Sequence, residues 1–161
     1  MKKSSLILAL IFTIRIIYSQ DNNNASQSGM MDMLKLKTLI QENNLNFAKG
    51  VSKSDVSAFG DLYLENAKFL PPGEDFITGN SQIRKWWDVY LKSGIHSMSI
   101  NMVSLAGDGD VLYETGQISR EIWKDNKASM QYDKYVTVWR LQDDGSYKIV
   151  LNMWNTDKKV E

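Results

Sequence analysis

The 161-residue chain contains no cysteine, a single histidine and two prolines. Without cysteine there is neither a disulfide nor a lipid anchor through an N-terminal Cys, and with His96 alone a multi-histidine metal centre is excluded. No phosphate loop, dinucleotide fingerprint or Ser-His-Asp arrangement is visible, so neither a metal nor a cofactor is expected. Also missing is an apolar run of about 20 residues, the length a membrane span needs. The longest run, residues 6–17, is interrupted by Thr13 and Arg15. Preceded by Lys2 and Lys3 and followed by Tyr18-Ser19, it has the pattern of a secretory signal peptide cleaved near Ser19, with an uncleaved anchor as the competing reading. Cleavage removes Lys2, Lys3 and Arg15 and no acid, taking the formal charge from 0 to −3. A mildly acidic product has no electrostatic reason to seek nucleic acid or, once released, a membrane surface. An exported protein, periplasmic or secreted, is the expectation.

Residues 20–30 are polar and turn-prone, a flexible tether between the cleavage site and one domain over 31–157. Apolar residues recur at Met33, Leu34, Leu36, Leu39, Ile40, Phe47 and Ala48, which predicts an amphipathic helix over 31–49 stopped by Gly50. Ser54-Asp55 can cap a short second helix. A strand over 67–70 halts at Pro71-Pro72-Gly73, and a brief return strand covers 76–79. A third helix opens at Ser81, gathers Ile83, Trp86, Trp87, Tyr90 and Leu91 on one face and ends by Gly94. Four strands over 98–105, 111–123, 130–141 and 147–154, parted by turn clusters, read as an antiparallel meander. Helices first and sheet afterwards make an α+β domain.

The residues Leu70-Pro71-Pro72-Gly73, Gly79, Gly107-Asp108-Gly109-Asp110-Val111, and above all Lys134-Tyr135-Val136-Thr137-Val138-Trp139-Arg140 with Asp144-Gly145-Ser146-Tyr147-Lys148-Ile149 and Trp154-Asn155, resemble the nuclear transport factor 2-like superfamily. The nearest likeness is to its branch called domain of unknown function 4440, related to SnoaL-like polyketide cyclases and ketosteroid isomerases, and it covers roughly residues 34 to 156. The resemblance implies a cone-shaped fold, N-terminal helices packed on a strongly curved antiparallel sheet around a pocket. It also implies a homodimer formed back to back through the outer sheet face. Two positions depart from the branch: Asp133 stands where it usually has Gly, and Asn152 where it often has Asp.

Side chains alternate along strands, so the turns sort residues by face. If Asp125-Asn126-Lys127 centres one hairpin and Asp143-Asp144-Gly145 the next, Lys134 lies across from Trp154 and near Ile118. A hairpin at Gly107-Asp108-Gly109 brings Met102 near Glu114. The even-numbered residues then face the helices, and Glu114, Lys134 and Asn152 interrupt that apolar side, which is costly unless they are paired or hydrated. On this register the pocket is formed by Tyr63, Trp86, Tyr90, Met102, Glu114, Tyr132, Lys134, Asn152 and Trp154. The first reading is an exported domain that binds a small molecule. The second is an isomerase- or cyclase-like enzyme with Glu114 as base and Lys134, aided by Tyr132, holding an oxyanion. The third is a structural dimeric module, with Glu114 and Lys134 forming a buried ion pair or bordering a water-filled polar gap that only fills space. A bulge in any strand would exchange the faces.

Overall fold

A computed structural model describes residues 29 and 32–156. The expected signal peptide 1–19 lies outside the described residues, as do the tether 20–30 apart from Gly29, and residue 157. The chain divides into two compact units, 1–38 and 39–161. In the first, residues 32–38 are helical, and Thr38 Oγ1 donates to the Leu34 carbonyl at 3.1 Å.

The second unit holds the domain core. There helix α1 covers 39–52, and its buried face is Ile40, Asn44, Phe47, Ala48 and Val51, spaced by three and four residues. Gly50 does not end this helix as its composition suggested. It is instead a point of close approach, where a Cβ would fall 2.6 Å from Phe59 Cδ1. Gly50→Ala is therefore expected to destabilise, because overpacking a fully buried ring costs about 1–3 kcal/mol against roughly 1 kcal/mol gained in helix propensity. A lower urea midpoint checks it.

Helix α2 (Ser57–Gly60) leads into β1 (Tyr63–Leu70), β2 (Ile77–Thr78), α3 (Asn80–Leu91), β3 (Ile95–Gly107), β4 (Val111–Lys124), β5 (Lys127–Leu141) and β6 (Tyr147–Thr156). Asn80 ties the start of α3 to β1, its Nδ2 donating to the carbonyls of Gly60 and Tyr63 at 2.9 and 2.6 Å. The sheet order is β2-β1-β6-β5-β4-β3. β3 to β6 form the antiparallel meander, but β1 joins β6 in parallel, so the sheet is mixed where a purely antiparallel one was expected. The meander leaves β6 as an open edge, and β1 covers it. Register shifts in β3 and at Val150 of β6 help to curve the sheet. Phe47, Phe59, Tyr63, Phe69, Trp87 and Trp154 pack ring against ring between its inner face and the helices.

The β4–β5 turn decides which side chains are inside. Lys124 pairs with Lys127, leaving Asp125 (φ 50°) and Asn126 (φ 60°) as a two-residue turn with both residues left-handed. A three-residue turn centred on Asn126 would pair residues of equal parity; the real one pairs even with odd. Every side chain of β5 is thereby turned over relative to the expectation. Asp133, Tyr135, Thr137 and Trp139 are buried, while Tyr132, Lys134, Val136 and Val138 belong to the outer face. In β6 the extra residue Val150 restores the expected facing, so Asn152 and Trp154 point inward.

Candidate functional site

Three sets of polar side chains interrupt the apolar interior between sheet and helices. The first is centred on Glu114 of β4, which is fully buried. Asn44 Nδ2 from α1 and Tyr135 Oη from β5 both donate to its Oε1 at 2.5 Å, and Trp139 Nε1 donates to Oε2 at 2.8 Å. Gly116 makes room for the tyrosine, since a Cβ there would lie 2.7 Å from Tyr135 Cε1. Burial raises the Glu114 pKa above the ordinary carboxylate value, and the three donors pull it only part of the way back. The Tyr135 phenol is also raised, by burial first and by the neighbouring Glu114 charge second.

The second set is an ion pair with almost no solvent contact, Arg120 of β4 being 3% and Asp133 of β5 0% exposed. Arg120 Nε donates to Asp133 Oδ2 at 3.0 Å, and Arg120 Nη2 donates to the same oxygen. The guanidinium also sits over two rings, its Cζ 5.7 Å from the centre of Tyr90 and 5.8 Å from that of Trp154. Among the described residues, three buried side-chain atoms lack a hydrogen-bond partner: Asp133 Oδ1, Trp154 Nε1 and, in the β5–β6 turn, Ser146 Oγ.

In the third set Asn152 Nδ2 donates to Thr137 Oγ1 at 2.9 Å, while Asn152 Oδ1 accepts from Tyr63 Oη at 3.4 Å. Trp87 Nε1 in turn donates to Tyr63 Oη at 3.3 Å.

All three sets border one cavity of about 30 Å³. Asn44, Arg120, Tyr135, Thr137, Asn152 and Trp154 line it together with apolar side chains such as Ile118 and Ile149, whereas Glu114 and Asp133 stand behind the lining. That volume admits a water-sized group. Two grooves open to solvent nearby. One, about 510 Å³, includes Trp86 and Tyr90 of α3; the other, about 310 Å³ between α1 and β3, shares Asn44, Met98 and Ile100 with the cavity.

No protein-family model matches the sequence, and a search of curated proteins finds no relative. Solved structures do match. A protein of unknown function from Mycobacterium tuberculosis superposes with TM-score 0.71 at 17% identity, covering 81% of this chain and 77% of that one. A nuclear-transport-factor-2-like protein with a cystatin-like fold from Novosphingobium aromaticivorans gives 0.70 at 13% identity, over 83% and 90% of the two chains. A ketosteroid isomerase-like protein from Erwinia carotovora atroseptica gives 0.67 at 10%, over 76% and 96%. This chain has the nuclear-transport-factor-2-like fold. Identities this low establish the fold and no activity.

Within the nuclear-transport-factor-2-like fold, the residues singled out in the sequence fall in different places. Asn152 and Trp154 line the cavity. Tyr63 is buried behind it, bonded to Asn152 and Trp87. Trp86 and Tyr90 are half-buried and stacked at 4.5 Å, and both touch the Trp154 ring from the helix side. Met102 borders the α1–β3 groove instead of the cavity. Lys134 and Tyr132 are exposed on the outer face, contrary to expectation, because the two-residue turn sets Asp133, not Lys134, opposite Ile118; across β6, with the extra residue Val150, Tyr135 stands opposite Trp154. A Glu114–Lys134 pair is ruled out with them, and so is Lys134 as an oxyanion holder. Glu114 is inside, but both its oxygens are engaged by donors and neither borders the cavity, which removes it as a base acting directly on a bound molecule. It is a positioning residue for Asn44, Tyr135 and Trp139.

Sequence reasoning missed Asn44, Arg120, Asp133, Tyr135, Thr137 and Trp139 as parts of the site. Arg120 lies two residues beyond Ile118 on the same strand face, and Asn44 falls on the apolar stripe of α1 between Ile40 and Phe47, so both carried a readable signal. The other four needed the correct register of β5.

Proposed function

We propose that the domain binds a small, largely apolar molecule in the central cavity and does not transform it. The observation that carries this reading is the wall itself, apolar over most of its area and broken by the convergent hydrogen-bonding groups of Asn44, Arg120, Thr137, Asn152 and Trp154. Catalysis would need an ionisable group presented to the ligand. Burial instead disfavours both the Glu114 carboxylate and the Tyr135 phenolate, and Glu114 is sequestered. A molecule larger than water enters by displacing side chains. Trp86 and Tyr90 suit that role, since they are half-buried, border the solvent groove and touch the cavity-lining Trp154.

Toluene, indole and naphthalene serve as probes. At saturation at least one is expected to raise the thermal midpoint by binding the native state only, and Ile118→Trp, which fills the cavity, is expected to abolish the shift while circular dichroism stays native. No shift with any probe would contradict the proposal.

The proposal extends to an exported homodimer. The N-terminal pattern supports export, and the outer sheet face supports pairing, because Val103, Tyr113, Met130 and Tyr132 are 65%, 54%, 49% and 47% exposed there. Native mass spectrometry of protein taken from its host is expected to give a dimer of chains beginning at Gln20. Chains that retain residues 1–19 contradict export, and monomers contradict pairing.

A further inference from the structure

Resting on the binding reading above, we infer that the ligand extends past the cavity wall. It is an elongated, uncharged molecule whose apolar end enters the cavity and whose polar end lies in the groove between α1 and β3. The cavity of about 30 Å³ takes a water-sized group, whereas the groove holds about 310 Å³, within the range of small-molecule sites. Asn44, Met98 and Ile100 line both spaces, so a partition of side chains divides them. The groove beside Trp86 shares no lining residue with the cavity. Within the partition, Ile100 is β-branched and stiff, and Asn44 is held by Glu114. Met98 is unbranched, and its rotation joins the two spaces.

The lining of the groove sets the chemistry. Gln41, Asn44, Leu45 and Ala48 recur at three- and four-residue steps and form one stripe of α1. No Asp, Glu, Lys or Arg lines the groove, and the ionisable groups at the cavity are already engaged, Arg120 with Asp133 and Glu114 with three donors. A charged ligand would lose water there and gain no counter-charge, which disfavours anions and cations alike. Asn44 identifies the complementary group. It is 8% exposed, and Glu114, which stands behind the cavity lining, fixes the Nδ2 end of its amide. Its Oδ1 accepts from no donor among the described residues. A buried acceptor at the junction of the two spaces calls for an O–H or N–H on the molecule that passes it. Leu45, half-exposed along the same stripe, offers apolar contact to the carbon chain. The ligand class is a neutral amphiphile, an alcohol or amide on an apolar body.

Probes that share a phenylbutyl body and differ at its end test this by calorimetric titration: 4-phenylbutan-1-ol, its methyl ether, 4-phenylbutyrate and 4-phenylbutylamine. Wild type is expected to bind the alcohol about tenfold more tightly than toluene, from the chain buried in the groove. The ether has no proton for Asn44 Oδ1 and is expected to bind about five- to tenfold more weakly than the alcohol, the worth of roughly one net hydrogen bond. The acid and the amine, charged at neutral pH, are expected to bind about tenfold more weakly than the alcohol or worse. Leu45→Trp fills the groove from an exposed position and is expected to bind toluene as wild type does and the alcohol no better than toluene. Gln41→Trp, also exposed and on the same stripe, repeats the test should that variant not fold. Alcohol and toluene binding alike to wild type, or a full gain for the alcohol in the filled variant, overturns the groove and leaves the binding reading intact. Equal binding of alcohol and ether overturns the contact with Asn44, and a charged probe as tight as the alcohol overturns the neutral class. Failure of every probe, toluene included, removes the binding reading itself.

Discussion

Asp133→Ala is expected to lower the free energy of unfolding by about 3–5 kcal/mol, because it strands the Arg120 charge in a place where it is 3% exposed. The faces of Tyr90 and Trp154 remain beside the guanidinium, but cation–π contact supplies only about 0.5–2 kcal/mol and does not replace a carboxylate. The double change Arg120→Met with Asp133→Leu removes both charges and is expected to recover most of the loss, since a buried pair is expensive to desolvate as well as to break. Urea unfolding of the single and double variants measures both. A single variant within about 1 kcal/mol of wild type would mean that the Arg120 charge finds water when its partner is gone.

Glu114→Leu takes the acceptor from Asn44, Tyr135 and Trp139 at once, and with each stranded donor costing about 1–3 kcal/mol the expected loss is roughly 3 kcal/mol or more. The same residue gives stability a pH dependence of defined sign. Burial raises its pKa above the ordinary 4.5, so the folded protein holds the proton more tightly than the unfolded chain does. The stabilisation linked to that proton is complete below 4.5 and is lost as the pH rises through the folded-state value. Glu114→Gln does not titrate. Its unfolding free energy relative to wild type is expected to move in the variant's favour as pH increases from about 4, levelling off above the folded pKa. A trend in the other direction would show that the three hydrogen bonds outweigh burial.

The elements and the antiparallel meander were legible in the sequence because hydrophobic period and turn residues act locally. The facing of β5 was not, because it depends on counting one residue in a turn. Asp125 and Asn126 both tolerate left-handed backbone, so the two-residue hairpin was a readable possibility, and choosing three residues instead carried Lys134 and Tyr132 to the wrong side. That single step hid Tyr135, Thr137 and Trp139, and it hid the partnership of Arg120 with Asp133, which exists only in the true register. Asn152 and Trp154 came out inside because Val150 adds the compensating residue in β6. The parallel joining of β1 to β6 left no local trace at all, being a contact between strands nearly ninety residues apart, as Tyr63 with Ile149 shows.

The direct measurement is a crystal soaked with 4-bromotoluene and examined at the bromine absorption edge. Binding in the cavity places the anomalous peak among Ile118, Tyr135 and Trp154, with Trp86 and Tyr90 displaced toward the solvent groove. A peak only on the outer sheet face, or none in a crystal whose surface sites are occupied, contradicts it.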